Sequence, residues 1–339
     1  MKLPSNGYTP RVAGRPTKEV RTVPTPPRLQ IELIQKGLTY SSQVNAGQTI
    51  AFGESLATTE IKGGLLELTS PVSGQVIPGD DTRSVITIEV DSDSPRDRFA
   101  PLKSQYATSD QVRETIAKGG LWSSFKDRNG DIPAVDGSEV PKAIIVNFVV
   151  AEPFRARGRV ILTRFWDAII EGIRFLPRLL SDYGKVEIIL TAVKDPVAQR
   201  MYKELSGFAW TQLHPVPVTY PIENPGVLAS ALAKSTGAYQ PDDIIWYVDG
   251  QGIAEIGELL THGKPPHRRI LALGGPGIQQ PIHVDATIGT PVAMLIPDSG
   301  KLEEQMVLRG GLLTGQPVDP ANSSVNRGDD AFFFLPEVT

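Results

Sequence analysis

Three long apolar runs, each separated from the next by helical patterning, constrain this chain more than anything else in it. "KAIIVNFVV" (142–150) and "KVEIILTAV" (185–193) read as buried strands, and "DIIWYVDG" (243–250) as a third. A continuous apolar run without polar alternation suits a strand covered on both faces. Between the runs, "ILTRFWDAIIEGIRFLPRLL" (161–180) places Leu162, Phe165, Trp166, Ile169, Ile170 and Ile173 at three-and-four spacing, which predicts one apolar helix face. "DPVAQRMYKELSG" predicts a helix with proline near its start and glycine near its end, and "NPGVLASALAKSTG" and "GIAEIGELLTHG" predict two more. "QVRETIAKGGLW" is a further helix, with Ser109-Asp110 as its expected caps. "AWTQLHPVP" reads as an edge strand ended by prolines. Such alternation implies right-handed crossovers and a mostly parallel sheet, a Rossmann-like α/β domain over 101–262.

The flanks obey a different pattern. Residues 31–100 carry short apolar runs between Gly, Asn and Asp turns, such as "LQIELIQKG", "QTIAFG", "GGLLELTSPVSGQVI" and "RSVITIEV". Closely spaced short strands predict a small sandwich or barrel. Residues 263–339 hold the strand patterns "RRILALGG", "PIHVDATIG", "PVAMLIPD" and "AFFFLPE", with one short helical candidate near 301–308. They read as a β-grasp-like module. Residues 1–30 are rich in Pro, Thr and Arg and form an extended arm, either a disordered tail or a wrap around a neighbouring domain.

Composition removes several classes of function. The 339 residues include no cysteine, which excludes disulfides, thiolate metal sites and Cys-held iron–sulfur clusters. The four histidines, His214, His262, His267 and His283, show no zinc-ligand spacing. A net charge of −4 makes nucleic acid a poor partner. No run approaches the ~18 apolar residues of a membrane span, and the start of the chain lacks the apolar core of a signal peptide. Phosphate-loop, nucleophile-elbow and zincin motifs do not occur. The acidic pairs Asp80-Asp81, Asp242-Asp243, Glu303-Glu304 and Asp329-Asp330 read as solvated turns or caps. His214-Pro215 and His267-Arg268-Arg269 read as surface or rim groups.

Two glycine clusters raise the question of a phosphate site. In "KGGLWSSFKDRNGDIP" (118–133), Gly119-Gly120 follow a helix rather than a strand, and no third glycine completes the pattern. Trp122 and Phe125 occupy the room a phosphate loop keeps free. Together with Lys126 and Arg128 these aromatics could line an apolar slot with donors at its rim, suited to a flat ring bearing carbonyls. The simpler alternative is that Trp122 and Phe125 pack a helix end while the charges stay solvated. In "LALGGPGIQQP" (271–281), Pro276 and Pro281 argue for a tight turn between strands.

Taken in order, these segments resemble the NqrA family, the A-type component of the sodium-translocating NADH:quinone oxidoreductase. More distantly, they are similar to the C-type component of the Rnf electron-transport complex and to the flavin-binding subunit of complex I. The likeness is carried by "GGLWSSFKDRNGDIPAV" with "PKAIIVNFVVAEP", by "DIIWYVDGQGIAEIGELLTHGK", by "RRILALGGPGIQQPIHVDATIGTPVAMLI" and by "RGGLLTGQPVD…VNRGDDAFFFLPE". "SPVSGQV" also resembles the barrel-sandwich fold of lipoyl and biotinyl carriers, with Lys62 near the modified-lysine position but without its motif, so an ordinary turn lysine is the alternative. The resemblance implies a multidomain α/β chain: an arm (1–30), a barrel-sandwich-like β domain (31–100), a Rossmann-like domain without a nucleotide loop (101–262) and a soluble-ligand-binding β-grasp domain, or SLBB (263–339). It implies a peripheral subunit on the cytoplasmic side of the inner membrane, partnered by membrane and peripheral subunits. Such a component contributes to quinone binding and reduction and has no tightly bound cofactor, flavin, iron–sulfur centre or metal of its own. A non-catalytic scaffolding subunit is the alternative. The quinone-associated region carries over to Gly120, Leu121, Trp122, Phe125, Lys126 and Arg128. "KDRNGD" departs from the arginine-rich run expected there, and the family usually continues past this point, so a divergent or shortened member is implied.

Overall fold

The computed structural model describes residues 7–78, 84–93, 98–191, 195–296 and 305–336. It is a mixed α/β chain with several sheets. At its centre, four parallel strands lie in the order Thr211–Pro215, Lys185–Leu190, Ala143–Asn147, Ile245–Asp249. The chain winds outward from Ala143–Asn147 to the edge strand Thr211–Pro215, then returns through helix Pro225–Thr236 to the other side of its starting strand. Strand order therefore reverses between Ala143–Asn147 and Ile245–Asp249. Crevices outside the carboxyl ends of strands at such a reversal are where open α/β sheets bind ligands.

Ala143–Asn147 is buried along its whole length, as its unbroken apolar sequence requires. Helices Trp166–Phe175 and Gly250–His262 cover one face of the sheet and pack closely on each other. Several expectations change in detail. The helix expected over 161–180 is three pieces, Gly158–Arg164, Trp166–Phe175 and a 3-10 turn Leu176–Arg178. The break falls at Phe165, whose backbone (φ −119°, ψ 30°) leaves the helical region. Helix Ser109–Lys118 is capped by Thr108 rather than Ser109-Asp110. Thr108 and Gln111 exchange side-chain and backbone bonds in a capping box.

Before this region, small antiparallel sheets are built from Arg28–Glu32, Val85–Ser92, Ser73–Ile77 and Thr49–Ile50, and from Ser41–Ser42, Ser55–Ile61 and Gly64–Thr69. A two-stranded hairpin, Ile34–Gln35 with Leu38–Thr39, turns at Lys36-Gly37. After it, a six-stranded mixed sheet holds Arg268–Gly274, Ile282–Thr287, Gln305–Arg309, Gln316–Val318 and Ala331–Pro336. Its sixth strand is Val20–Thr22 from the arm, running parallel to Ile282–Thr287. Buried His283 helps hold the arm: its Nδ1 lies 2.6 Å from the Thr17 carbonyl. Burial drives the His283 imidazole down to about 4, so it is neutral at pH 7. The segment expected as the strand "PVAMLIPD" is instead a 3-10 turn, Val292–Leu295, and the described part of the helical candidate near 301–308 is strand Gln305–Arg309. No helix among the described residues is long and apolar enough to cross a membrane.

Candidate functional site

Between the central parallel sheet and the two flanking β regions lies a cavity of about 870 Å³. Its walls come from all three. The Lys36 hairpin and Tyr40 supply one side; Ser123, Ser124, Lys126, Arg155, Tyr247, Asp249 and Gly252 a second; and Arg269, Arg309 and Asn326–Asp330 the third. The loop carrying Arg155 and the turn at Asp249 both leave carboxyl ends of the strands flanking the reversal. The cavity is thus the crevice that the topology predicts as a ligand site.

The stretch 119–128 builds part of this wall, but most of its members face elsewhere. Helix Ser109–Lys118 closes with the Gly119 amide donating to Thr115 O, the Gly120 amide to Ala117 O and the Leu121 amide to Ile116 O. Those amides are consumed in ending the helix, so no open cradle for an anion exists there. Gly120 sits at φ +67°, and a Cβ on it would come within 2.7 Å of Glu67 O and 2.9 Å of Arg327 Nη1. Leu121, Trp122 and Phe125 are fully buried. The Trp122 ring meets those of Phe125 and Trp246 edge-on, each at 5.5 Å between centroids, and its Nε1 donates to Pro133 O at 2.8 Å. Arg113, itself buried, lies over Trp122 at 5.2 Å. The two aromatics therefore pack as core and line no open slot. Arg128 is also committed, its guanidinium donating to the carbonyls of Pro241 and Asp243.

Lys126 is the exception. Its backbone pairs with Tyr247, donating to Tyr247 O at 2.9 Å and accepting from Tyr247 N at 2.7 Å. This local bridge aims the side chain into the cavity, where no acceptor in the described residues takes it. Burial, then the nearby charge of Lys36, lowers the Lys126 amine to about 8.

Other charges complete the wall, and local sequence gives no sign of where they point. Arg155 pairs with Asp330 at 2.6 Å, and Arg309 grips Glu32 through two bonds of 2.8 Å each. Burial pulls the Glu32 carboxyl up, but Arg309, Ser324 and Asn326 outweigh it and hold the group low. Asp329 and Asp330 are not a solvated turn: Asp329 is buried, accepts the Asn326 amide, and is raised by burial to about 6. Asp80-Asp81 and Glu303-Glu304 lie outside the described residues. Asp249 accepts from the Gly252 amide at 2.7 Å, capping helix Gly250–His262 with its own carboxylate. The run strand–Asp–Gly–Gln–Gly–helix at 245–262 was the sequence signal for this corner of the site. Lys62, at the tip between Ser55–Ile61 and Gly64–Thr69, is ion-paired with Glu139. His214 is no free rim group, since its Nε2 lies 2.6 Å from the buried Glu187 carboxylate. His267 packs edge-on against Phe52.

Residues 107–265 match the family described as the NqrA second alpha/beta domain. Among curated proteins, the chain is similar to the A-type component of the Na(+)-translocating NADH-quinone reductase of Yersinia pestis bv. Antiqua, at 26% identity over 86% of this chain and 63% of that protein. The corresponding protein of Photorhabdus laumondii is 25% identical over 93% of this chain and 69% of that protein. That of Cellvibrio japonicus is 27% identical over 90% and 66%. The chain spans about 63% of the length of the Yersinia relative.

Proposed function

We propose that this chain, which carries an NqrA second alpha/beta domain over residues 107–265, works as the A-type component of a sodium-translocating NADH–quinone reductase. In this reading it sits peripherally on the cytoplasmic side of the inner membrane, among membrane and peripheral subunits, and contributes to binding and reducing quinone. The flanking sheets correspond to the barrel-sandwich and soluble-ligand-binding β-grasp domains of the same likeness. Flavin and iron–sulfur chemistry belong to partner subunits. In keeping with that, Asp249 fills the helix N-terminus at the strand reversal, where a cofactor phosphate would otherwise sit.

One observation supports a quinone contact here: Lys126 points, unpartnered, into the cavity at the carboxyl ends of the strands. A protonated amine there donates to a quinone carbonyl and offsets the negative charge that builds on it during reduction. Trp122, Phe125, Leu121 and Gly120 support this wall from behind rather than gripping the ring. Titrating the full chain with a short-chain ubiquinone, read by tryptophan fluorescence, tests the contact. Saturable binding that weakens in Lys126→Met supports it, and equal affinity in both proteins removes it. Co-purification of membrane subunits tests the assembly, and a flavin absorption band in the isolated chain would contradict the assignment of flavin to partners. The scaffolding alternative is favoured by the burial of Trp122 and Phe125 and by the commitment of Arg128 to backbone carbonyls. It expects co-purification without quinone binding.

A further inference from the structure

We infer that the cavity is a binding site for a small, multiply charged oxyanion, of the diphosphate or tricarboxylate kind, held by Lys36, Lys126 and Arg327. The argument starts from which charges in the wall are already satisfied. Asp330 is taken by Arg155, Asp329 by the Asn326 amide and Arg309, Asp249 by the Gly252 amide, and Glu223 by the amides of Ala151 and Glu152. Arg269 is paired with Glu255 at 2.6 Å. Three cations remain with no hydrogen bond or ion pair to any described residue, Lys36, Lys126 and Arg327, and Arg327 Nη2 is buried as well as orphaned. Asp131, an exposed carboxylate at the rim, attracts Lys126 without bonding to it. A buried charged donor left without an acceptor costs free energy, and Arg327, unlike Arg113 in the sealed aromatic cluster, belongs to the wall of a cavity with room for one.

The backbone makes room for these cations. Lys36 is a non-glycine residue at φ +48°, at the tip of the hairpin that reaches over the cavity. The two-residue turn of this hairpin demands positive φ at both Lys36 and Gly37, and it carries the Lys36 side chain to the cavity wall. Gly328 opposes it: a Cβ there would stand 2.6 Å from Lys36 Cε and 2.8 Å from Nζ. Gly120 does the same for Arg327. Gly328 thus lies against the end of Lys36, and Gly120, whose own positive φ already calls for glycine, lies against Arg327. Lys36 is open to the cavity's solvent yet ringed by protein, and burial lowers its amine. Burial likewise lowers the Arg327 guanidinium, to about 10. Two point-charge ammonium groups and one planar fork are the donor set that phosphoryl and carboxylate oxygens select.

The site stands whether or not a quinone binds, and its test uses no quinone. The full chain is titrated calorimetrically with inorganic pyrophosphate and, separately, with citrate, at constant ionic strength set by chloride. The expected result is one saturable site for at least one probe. Binding should be weakened roughly tenfold or more in Lys36→Asn, a residue that tolerates positive φ, and in Arg327→Gln. It should be unchanged in Lys118→Gln, an exposed helix lysine paired with Glu114. If Arg327→Gln does not fold, Lys36→Asn decides alone. Tighter pyrophosphate identifies a phosphoryl ligand, and tighter citrate a polycarboxylate. No saturable binding of either probe, or binding undiminished in Lys36→Asn, overturns the site.

Discussion

Phe125 and Lys126 are neighbours in sequence and stand on two sides of one backbone. On Phe125's side, Leu121, Trp122 and Trp246 close a dry cluster. The Trp122 indole N–H there is satisfied by Pro133 O, and the one cation present, Arg113, lies flat on aromatic faces. On Lys126's side the wall mixes apolar side chains such as Leu38, Ile61 and Ile132 with many charged groups, and three cations there lack partners. The first environment is held by the packing of its rings, which encloses even Trp246 Nε1 and Arg113 Nη1 without a hydrogen-bond partner. The second is held open by the surrounding sheets, and its charges wait on something outside the chain. A short segment can therefore serve as core and as binding wall at once, with a one-residue bridge to Tyr247 deciding which side each residue joins.

The contrast can be broken most sharply on the dry side. Trp122→Ala should cost about 3–5 kcal/mol of stability, since it leaves a large buried cavity. Chemical denaturation would measure it, and a loss below about 1 kcal/mol would mean the cluster is loosely packed after all. Next comes a paired charge of the wall. Glu32→Gln should cost about 2 kcal/mol, because it weakens a bidentate bond to Arg309 that joins the first β region to the last sheet. The unpaired charge should behave oppositely: Lys126→Met should be neutral or stabilising by on the order of 1 kcal/mol near pH 7. Because the folded amine titrates near 8, below its ordinary 10.5, the unfolded chain holds the proton longer. Wild-type stability should then rise between about pH 8 and 10.5, and the advantage of Lys126→Met should shrink across that window. A pH-independent difference would show that Lys126 is not desolvated. The smallest effect is expected for Arg113→Met, under about 1 kcal/mol, since a flexible apolar side chain replaces a cation whose Nη1 is already without a partner. A larger loss would show that the charge, not the packing, holds the two indoles.

The sequence carried the central sheet plainly, because strands buried on both faces leave continuous apolar runs that nothing else explains. It carried the family likeness as well, through the order of its segments. It carried Trp122 and Phe125 as core by the plain rule that aromatics are buried. Boundaries were less visible. Phe165 continues an apolar periodicity across a break that only its backbone reveals, and Ser109-Asp110 looks as good a cap in the sequence as Thr108, which is the one that forms it. "PVAMLIPD" has strand composition, yet Val292–Leu295 turns instead. The cavity was invisible for a different reason. Lys126 is flagged by its place beside Trp122 and Phe125, whereas Lys36, Arg155, Arg309 and Arg327 each look like an ordinary solvated cation in their own neighbourhood. Only the meeting of three sheets puts them in one wall. The same holds for Asp329-Asp330, which read as a turn because no local signal announces Arg155 across a gap of 175 residues.

The arm strand Val20–Thr22 completes the edge of a sheet whose adjacent strand, Ile282–Thr287, is translated far later. Thr17 and His283, which meet through a hydrogen bond, are 266 residues apart. At the usual pace of synthesis, about 5–20 residues per second, the arm spends tens of seconds outside the ribosome before its docking edge exists. Its scarcity of apolar residues suits that wait, because little of it would stick to other surfaces before the edge of Ile282–Thr287 exists.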